Sequence, residues 1–269
     1  MDKTSLFGIV LGFVVLVGGM VLKGSDPAAL MNPAALVIIF LGTIAALLNA
    51  FPLYEIKKIP TLFKVLFTDT KLITVKELIP IFTDWANIAR REGLLALEER
   101  TEEVDDPFLQ RGLKMIVDGQ SPELVRDMLE EEIMAMEERH ELGAKIFSQA
   151  GTYAPTLGVL GAVVGLVAAL GHLEDVTLLG KSIAAAFIAT LFGIFSGYVL
   201  WHPFANKLKR KSYQEAKIKQ IMVEGLLAVQ EGIPARLVEE KMLTYLSANE
   251  RVLEKEKEEG GRVEAYEKA

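Results

Sequence analysis

The stretch Ile183–Trp201 reads IAAAFIATLFGIFSGYVLW and contains no Asp, Glu, Lys or Arg. Crossing the hydrocarbon core of a bilayer takes about 20 residues of helix. Small residues recur at every fourth position, Ala185, Ala189, Gly193 and Gly197. At that spacing they share one helix face and let a second backbone approach closely within lipid. The run therefore predicts a transmembrane helix built to pack tightly. Three other runs have the same charge-free character: Leu6–Leu22, Ala34–Phe51 and Ile146–Leu170. Leu6–Leu22 is short and gains length from Thr4 and Ser5. Its weakly basic start and the Lys23-Gly24-Ser25-Asp26 that follows do not suit a cleaved signal peptide.

Around these runs the composition is consistent. The chain has 269 residues, 51% apolar and 24% charged, with a mean hydropathy of +0.31. Both features hold together only if apolar and charged residues are segregated along the chain, which excludes disorder throughout. Thirty-six acidic residues against 29 basic ones give a net charge of -7, so no basic surplus exists for nucleic acid. Cysteine is absent, which removes disulfides, thiolate metal sites and cysteine nucleophiles.

Basic residues orient the spans. Lys57 and Lys58 follow the second, and Lys207, Lys209, Arg210 and Lys211 follow the fourth. Both termini and the long connection are thus expected on the cytoplasmic side of a plasma membrane. The expected fold is all-α, with four transmembrane helices and a cytoplasmic helical domain formed by the insert and the C-terminal segment. Residues 4–51 and 146–201 form two transmembrane hairpins. Residues 52–145 are the insert, 202–253 are C-terminal helices and 254–269 are a charged, disordered tail.

Within the insert, Glu55–Phe67 suits either a helix lying on the inner leaflet or an amphipathic helix packed on its neighbours. Thr74-Val75-Lys76-Glu77 reads as a capping box, with Gly93 bending or ending the helix that follows. Asp106-Pro107 and Ser121-Pro122 are helix starts, and Gly232-Ile233-Pro234 is a break before a last helix.

A second set of small residues lies in the third span. Ala154, Gly158 and Ala162 form one row, and Gly161, Gly165 and Ala169 another. Pro155 interrupts the hydrogen-bond ladder there and kinks the helix. Thr190 is the main polar group deep in the fourth span. Its hydroxyl either serves an ion pathway or bonds back to the preceding turn, and spacing alone favours the second. Ion pathways normally use an ionisable group within the membrane, and these spans have none. A carboxylate for ion transport therefore has to come from another polypeptide. His140, His172 and His202 lie in a charged helix, an outer link and the inner mouth of the fourth span. They fit no metal-ligand spacing, and no nucleophile or phosphate motif accompanies them. No cofactor is expected and the chain does not read as an enzyme.

Three segments carry a resemblance: Ala89–Glu98 (ARREGLLALE), Gly151–Gly165 (GTYAPTLGVLGAVVG) and Tyr198–Leu208 (YVLWHPFANKL). With the two-hairpin layout they resemble the MotA family of flagellar stator proteins, within the MotA/TolQ/ExbB proton channels, and most of all its members from Gram-positive bacilli. The resemblance implies a ring of five copies around two copies of MotB, whose transmembrane helix supplies an essential aspartate. It also implies that ion flow past that aspartate turns the ring against the rotor protein FliG. Arg90 and Glu98 match the family's charged pair that engages FliG, and Gly93 between them matches too. Pro155 and Pro203 match the prolines linked to coupling, Thr190 the ring threonine near the ion site, and Tyr198 a tyrosine on the same helix. Sodium-driven relatives usually carry a threonine near the position of Ala162. A methyl group offers sodium no oxygen, so proton drive is expected. The competing readings are a sodium-driven stator, an ExbB/TolQ-like energiser of an envelope system and a membrane scaffold without ion traffic.

Overall fold

The computed structural model describes residues 3–69 and 71–251. The expected tail, 254–269, lies outside the described residues. Every regular element among those described is helical. Four helices are long and apolar enough to cross a membrane: Thr4–Leu22, Pro33–Ala50, Pro122–Leu170 and Val176–Gln230. We number the principal helices α1 (Lys3–Leu22), α2 (Pro33–Ala50), α3 (Ile59–Phe67), α4 (Val75–Glu92), α5 (Pro107–Val117), α6 (Pro122–Leu170), α7 (Val176–Gln230) and α8 (Ala235–Leu243). The third and fourth spans are thus parts of helices of 49 and 55 residues. The change from charged to apolar composition at Lys145 and Lys207 marks a change of surroundings and not a helix end.

The chain forms two compact units, residues 1–70 with 138–212, and residues 71–137 with 213–269. These divisions fall inside α6 and α7, away from 52, 146 and 202, because continuous helix gives the sequence no punctuation there. The amphipathic α3 belongs to the unit that holds the four spans.

In that first unit, Asn32 caps α2 by accepting from the backbone N–H of Ala35 at 3.2 Å. Asp175 caps α7 through the N–H groups of Thr177 and Leu178. Both helices contain a π-helical turn, at Val37–Leu41 in α2 and at Ser196–Trp201 in α7. Ile39, Ala154, Ala189 and Phe192 share one buried cluster among the spans. Leu66, Ala144, Phe147 and Phe204 share another beneath α3. The ammonium of Lys211 donates to the carbonyls of Val65 and Thr68, at 2.6 and 2.7 Å. It thereby satisfies the free carbonyl end of α3. α3 packs on its neighbours through Phe63 and Leu66.

The second unit has a conventional apolar core, with Leu78, Phe82, Leu109, Leu113 and Leu226 fully buried. Thr74 and Glu77 form both halves of the capping box. The backbone and hydroxyl of Thr74 donate to the Glu77 carboxylate and hold its pKa below the ordinary carboxyl value. Gly93 ends α4 with φ of +88°, a conformation that glycine alone adopts readily. Gly112 lies against Leu226 and Leu129, and Gly225 lies against Phe82, so a side chain at either position would collide with the core.

Glu224 on α7 joins three helices of this unit. It accepts from Arg126 of α6 at 2.8 Å and from Lys241 of α8 at 2.6 Å. Burial by itself would raise its pKa, but the hydrogen bonds and charges of Lys241 and Arg126 outweigh that effect and lower it. A lowered folded value makes the contribution full above the ordinary carboxyl value of 4.5, and that contribution fades as pH falls through the lowered value. Glu224→Gln should therefore cost about 1–2 kcal/mol near neutrality, within the usual range for charge-assisted bonds. It should also flatten the acid limb of a stability profile. Thermal unfolding between pH 7 and pH 3 checks both effects, and an unchanged acid limb would count against the assignment.

Candidate functional site

The chain's small residues meet along a seam between α6 and α7 in the first unit. A Cβ placed on Gly193 would stand 2.7 Å from the Ala154 carbonyl oxygen and 2.8 Å from the Gly158 Cα. One on Gly158 would stand 3.0 Å from both the Ala189 carbonyl oxygen and the Gly193 Cα. These neighbours are backbone atoms, which cannot rotate away. Lower on the seam, a Cβ on Gly197 would meet the Pro155 ring at 2.8 Å and the Gly151 carbonyl at 2.9 Å. Higher up, one on Gly161 would meet the Ala189 methyl at 2.9 Å, and one on Gly165 the Ala186 methyl at 2.9 Å. The partner of Gly165 is thus Ala186. Ala185, the expected member of the row, instead helps line a small groove of about 220 Å³ with Ile38, Gly161 and Ser182. Ala154 and Ala169 are buried, and Ala162 is half-buried.

Thr190 is half-buried, and its hydroxyl donates back to the Ala186 carbonyl at 3.5 Å. Thr43 in α2 makes the same kind of bond at 2.6 Å. The Thr190 bond is at the long limit of useful geometry. Pro155 stands within α6 against Gly197, and Pro203 is exposed. Tyr198 is 64% exposed, and its ring lies 5.4 Å from that of His202. The indole N–H of Trp201 is buried and finds no acceptor among the described residues.

In the second unit, Arg90 and Glu98 are both exposed, and neither makes an ion pair among the described residues. Gly93 separates α4 from the 3-10 turn Leu94–Leu97, whose Leu97 is fully buried while Leu95 is 73% exposed. The chain is therefore anchored on both sides of Leu95, and the two charges are presented from packed elements. Arg100, by contrast, is held by Glu103 at 2.7 Å. Among the described residues no cluster of His, Asp or Glu is arranged to hold a metal ion.

Ala186, Gly151, Gly112 and Gly225 were not singled out from sequence. Ala186 stands outside the four-residue repeat, and Gly112 and Gly225 lie in cytoplasm-like composition where glycine reads as a weak helix position.

Residues 100–221 match the MotA/TolQ/ExbB proton channel family. Over 252 residues the chain is 62% identical to motility protein A of Bacillus subtilis, covering 94% of this chain and 93% of the relative. The fold matches a chain of the flagellar MotAB stator complex of Bacillus subtilis with a TM-score of 0.89 and 62% identity, covering 93% of this chain and 98% of that one. It also matches a chain of the C. jejuni MotAB structure with a TM-score of 0.86 at 31% identity, covering 92% and 97%.

Proposed function

The chain belongs to the motility protein A family, and from that premise we propose that it is the ring-forming subunit of a proton-driven flagellar stator. Five copies surround two copies of a MotB partner, and the ring turns against FliG. The observation that carries this reading is the α6–α7 seam. It brings two helices backbone to backbone around Thr190, while α7 has no Asp, Glu, Lys or Arg between Lys181 and Lys207. α6 has none between Lys145 and Leu170. A pathway walled in this way moves protons only if a partner brings the carboxylate.

Each step then has a physical cause. A charged carboxylate in a low-dielectric site is costly, and protonation removes that cost. The charged and neutral forms of the partner aspartate therefore favour different positions against the ring. Thr190 offers the charged form a hydroxyl held only by its long bond to Ala186. Pro155 leaves α6 one backbone hydrogen bond short beside Gly197, which gives the seam a place to adjust. Arg90 and Glu98 pass the movement to charges on the rotor. The apolar faces of the spans, including Phe187 at 69% exposure, are covered by lipid and by neighbouring copies. Both termini and the second unit lie in the cytoplasm, as the basic residues after the second and fourth spans indicate.

Ala162 supports protons over sodium, because its methyl group adds no oxygen ligand. A stator-deleted bacillus given this chain and its cognate MotB should swim. That motility should collapse on adding a protonophore and stay unchanged when sodium is withdrawn. Motility that follows sodium would leave the stator role and overturn the ion assignment.

A further inference from the structure

Between the Thr190 level and the cytoplasm, α7 carries one imidazole, that of His202, and imidazole is the side chain most often used to accept and pass on a proton. We propose that His202 is the proton acceptor on the exit side of the channel, an inference that rests on the stator reading above. The ring is half-buried and seated against Gly151 of α6, where a Cβ would stand 2.8 Å from its Cγ, Cδ2 and Nδ1 atoms. Only a glycine leaves that seat open. The ring of Tyr198 lies near it, with centroids 5.4 Å apart. The π-helical turn Ser196–Trp201 lies immediately before His202, and such turns alter where the next side chains point. Among the described residues neither ring nitrogen has a hydrogen-bond or ion-pair partner. His140, by contrast, pairs its Nδ1 with the Ser212 hydroxyl at 3.1 Å.

The surroundings suit the task. Tyr198 on α7 and Tyr153 on α6 are the remaining titratable side chains of these stretches, and α1 from Thr4 to Leu22 and α2 from Pro33 to Ala50 have none. The nearest cations along the two helices are Lys145 and Lys207. Lys207 is held by the hydroxyls of Thr4 and Ser5, at 3.1 and 2.5 Å. His202 stands twelve residues beyond Thr190, roughly 18 Å along the axis at 1.5 Å per residue, so water carries the proton between them. The O–H bond of the partner's carboxylic acid breaks and leaves a carboxylate. An imidazole nitrogen gains the proton as an N–H bond, and the imidazolium then releases it to cytoplasmic water.

The test is bead rotation in stator-deleted bacillus cells carrying the full chain with MotB, at low load and near stall. Proton transfer limits speed at low load, whereas stall torque depends on the driving force and on assembly. His202→Gln should lower low-load speed by about tenfold and leave stall torque unchanged. His202→Ala should behave alike and regain speed when imidazole is supplied to the cells, with wild type as the control for internal buffering. Gly151→Ala, which keeps the imidazole but crowds its seat, should slow rotation in the same load-dependent way. Unchanged low-load speed in His202→Gln would overturn the relay. So would equal losses at both loads, or loss that imidazole does not restore. A wild-type chain that drives no rotation despite assembling with MotB would instead overturn the stator reading beneath it, and rotation that ignores the proton gradient would overturn the proton assignment on which the relay rests.

Discussion

Gly193→Val should abolish motility and strip most of the complex from the membrane, the largest loss expected from any single methyl-bearing replacement in this chain. At Gly193 the first added carbon already stands 2.7 Å from the Ala154 carbonyl oxygen and 2.8 Å from the Gly158 Cα. Both are main-chain atoms of α6, so no rotamer change relieves the overlap. α6 and α7 have to separate, and the close contacts at Gly158 and Gly197 go with that movement. Overpacking in a close-packed core typically costs about 1–3 kcal/mol, and here the strain falls on backbone that cannot yield without moving a whole helix. Gly193→Ala should show a milder form of the same defect. Gly18→Val is the matched control, because nothing lies within 4 Å of that site. Swimming and the amount of complex extracted with MotB check the prediction. A motile Gly193→Val strain would mean that the seam is looser than its backbone contacts require.

Reversing the charge of Arg90 or Glu98 should remove most torque while leaving membrane level and MotB association near wild type. Both side chains are exposed and without an ion-pair partner among the described residues, so changing their sign disturbs little inside the unit. Exposed substitutions of this kind usually alter stability by less than about 0.5 kcal/mol. A large functional loss without loss of protein then assigns the charges to an external partner. Compensating reversal on the rotor should restore rotation in part. If instead the variants fail to accumulate, the pair has an internal structural role. Arg100 offers the contrast: it is tied to Glu103, so Arg100→Ala should act on the local fold and not on the rotor.

Much of the architecture was legible because lipid imposes strict local rules. Charge-free length marks the spans, and Thr74, Asp106 and Ser121 mark helix starts through hydrogen bonds made within three residues. Gly93 and Gly232 mark stops through their positive φ of 88° and 68°. The candidate site was legible in kind, since the small-residue rows and the absence of a charge in the spans both stand in the sequence. Its detailed pairing was not. The π-helical turns at Val37–Leu41 and Ser196–Trp201 shift the faces of α2 and α7 away from a regular repeat, and no residue pattern announces them. The hydroxyl of Thr190 bonds back to the preceding turn, as its spacing favours, but only the structure gives the length of that bond, 3.5 Å.

By itself, then, the amino-acid sequence determined which stretches are long and apolar enough to cross a membrane, where the helices begin and end, and that those stretches carry no Asp, Glu, Lys or Arg. These depend on hydration, length and hydrogen bonds between near neighbours. Tertiary structure alone decided that Gly165 faces Ala186 and not Ala185, that Gly112 and Gly225 admit Leu226 and Phe82, and that His202 occupies the space left by Gly151. Those choices come from interlocking residues far apart in the chain, where a few tenths of an ångström of backbone separation selects one partner over the next.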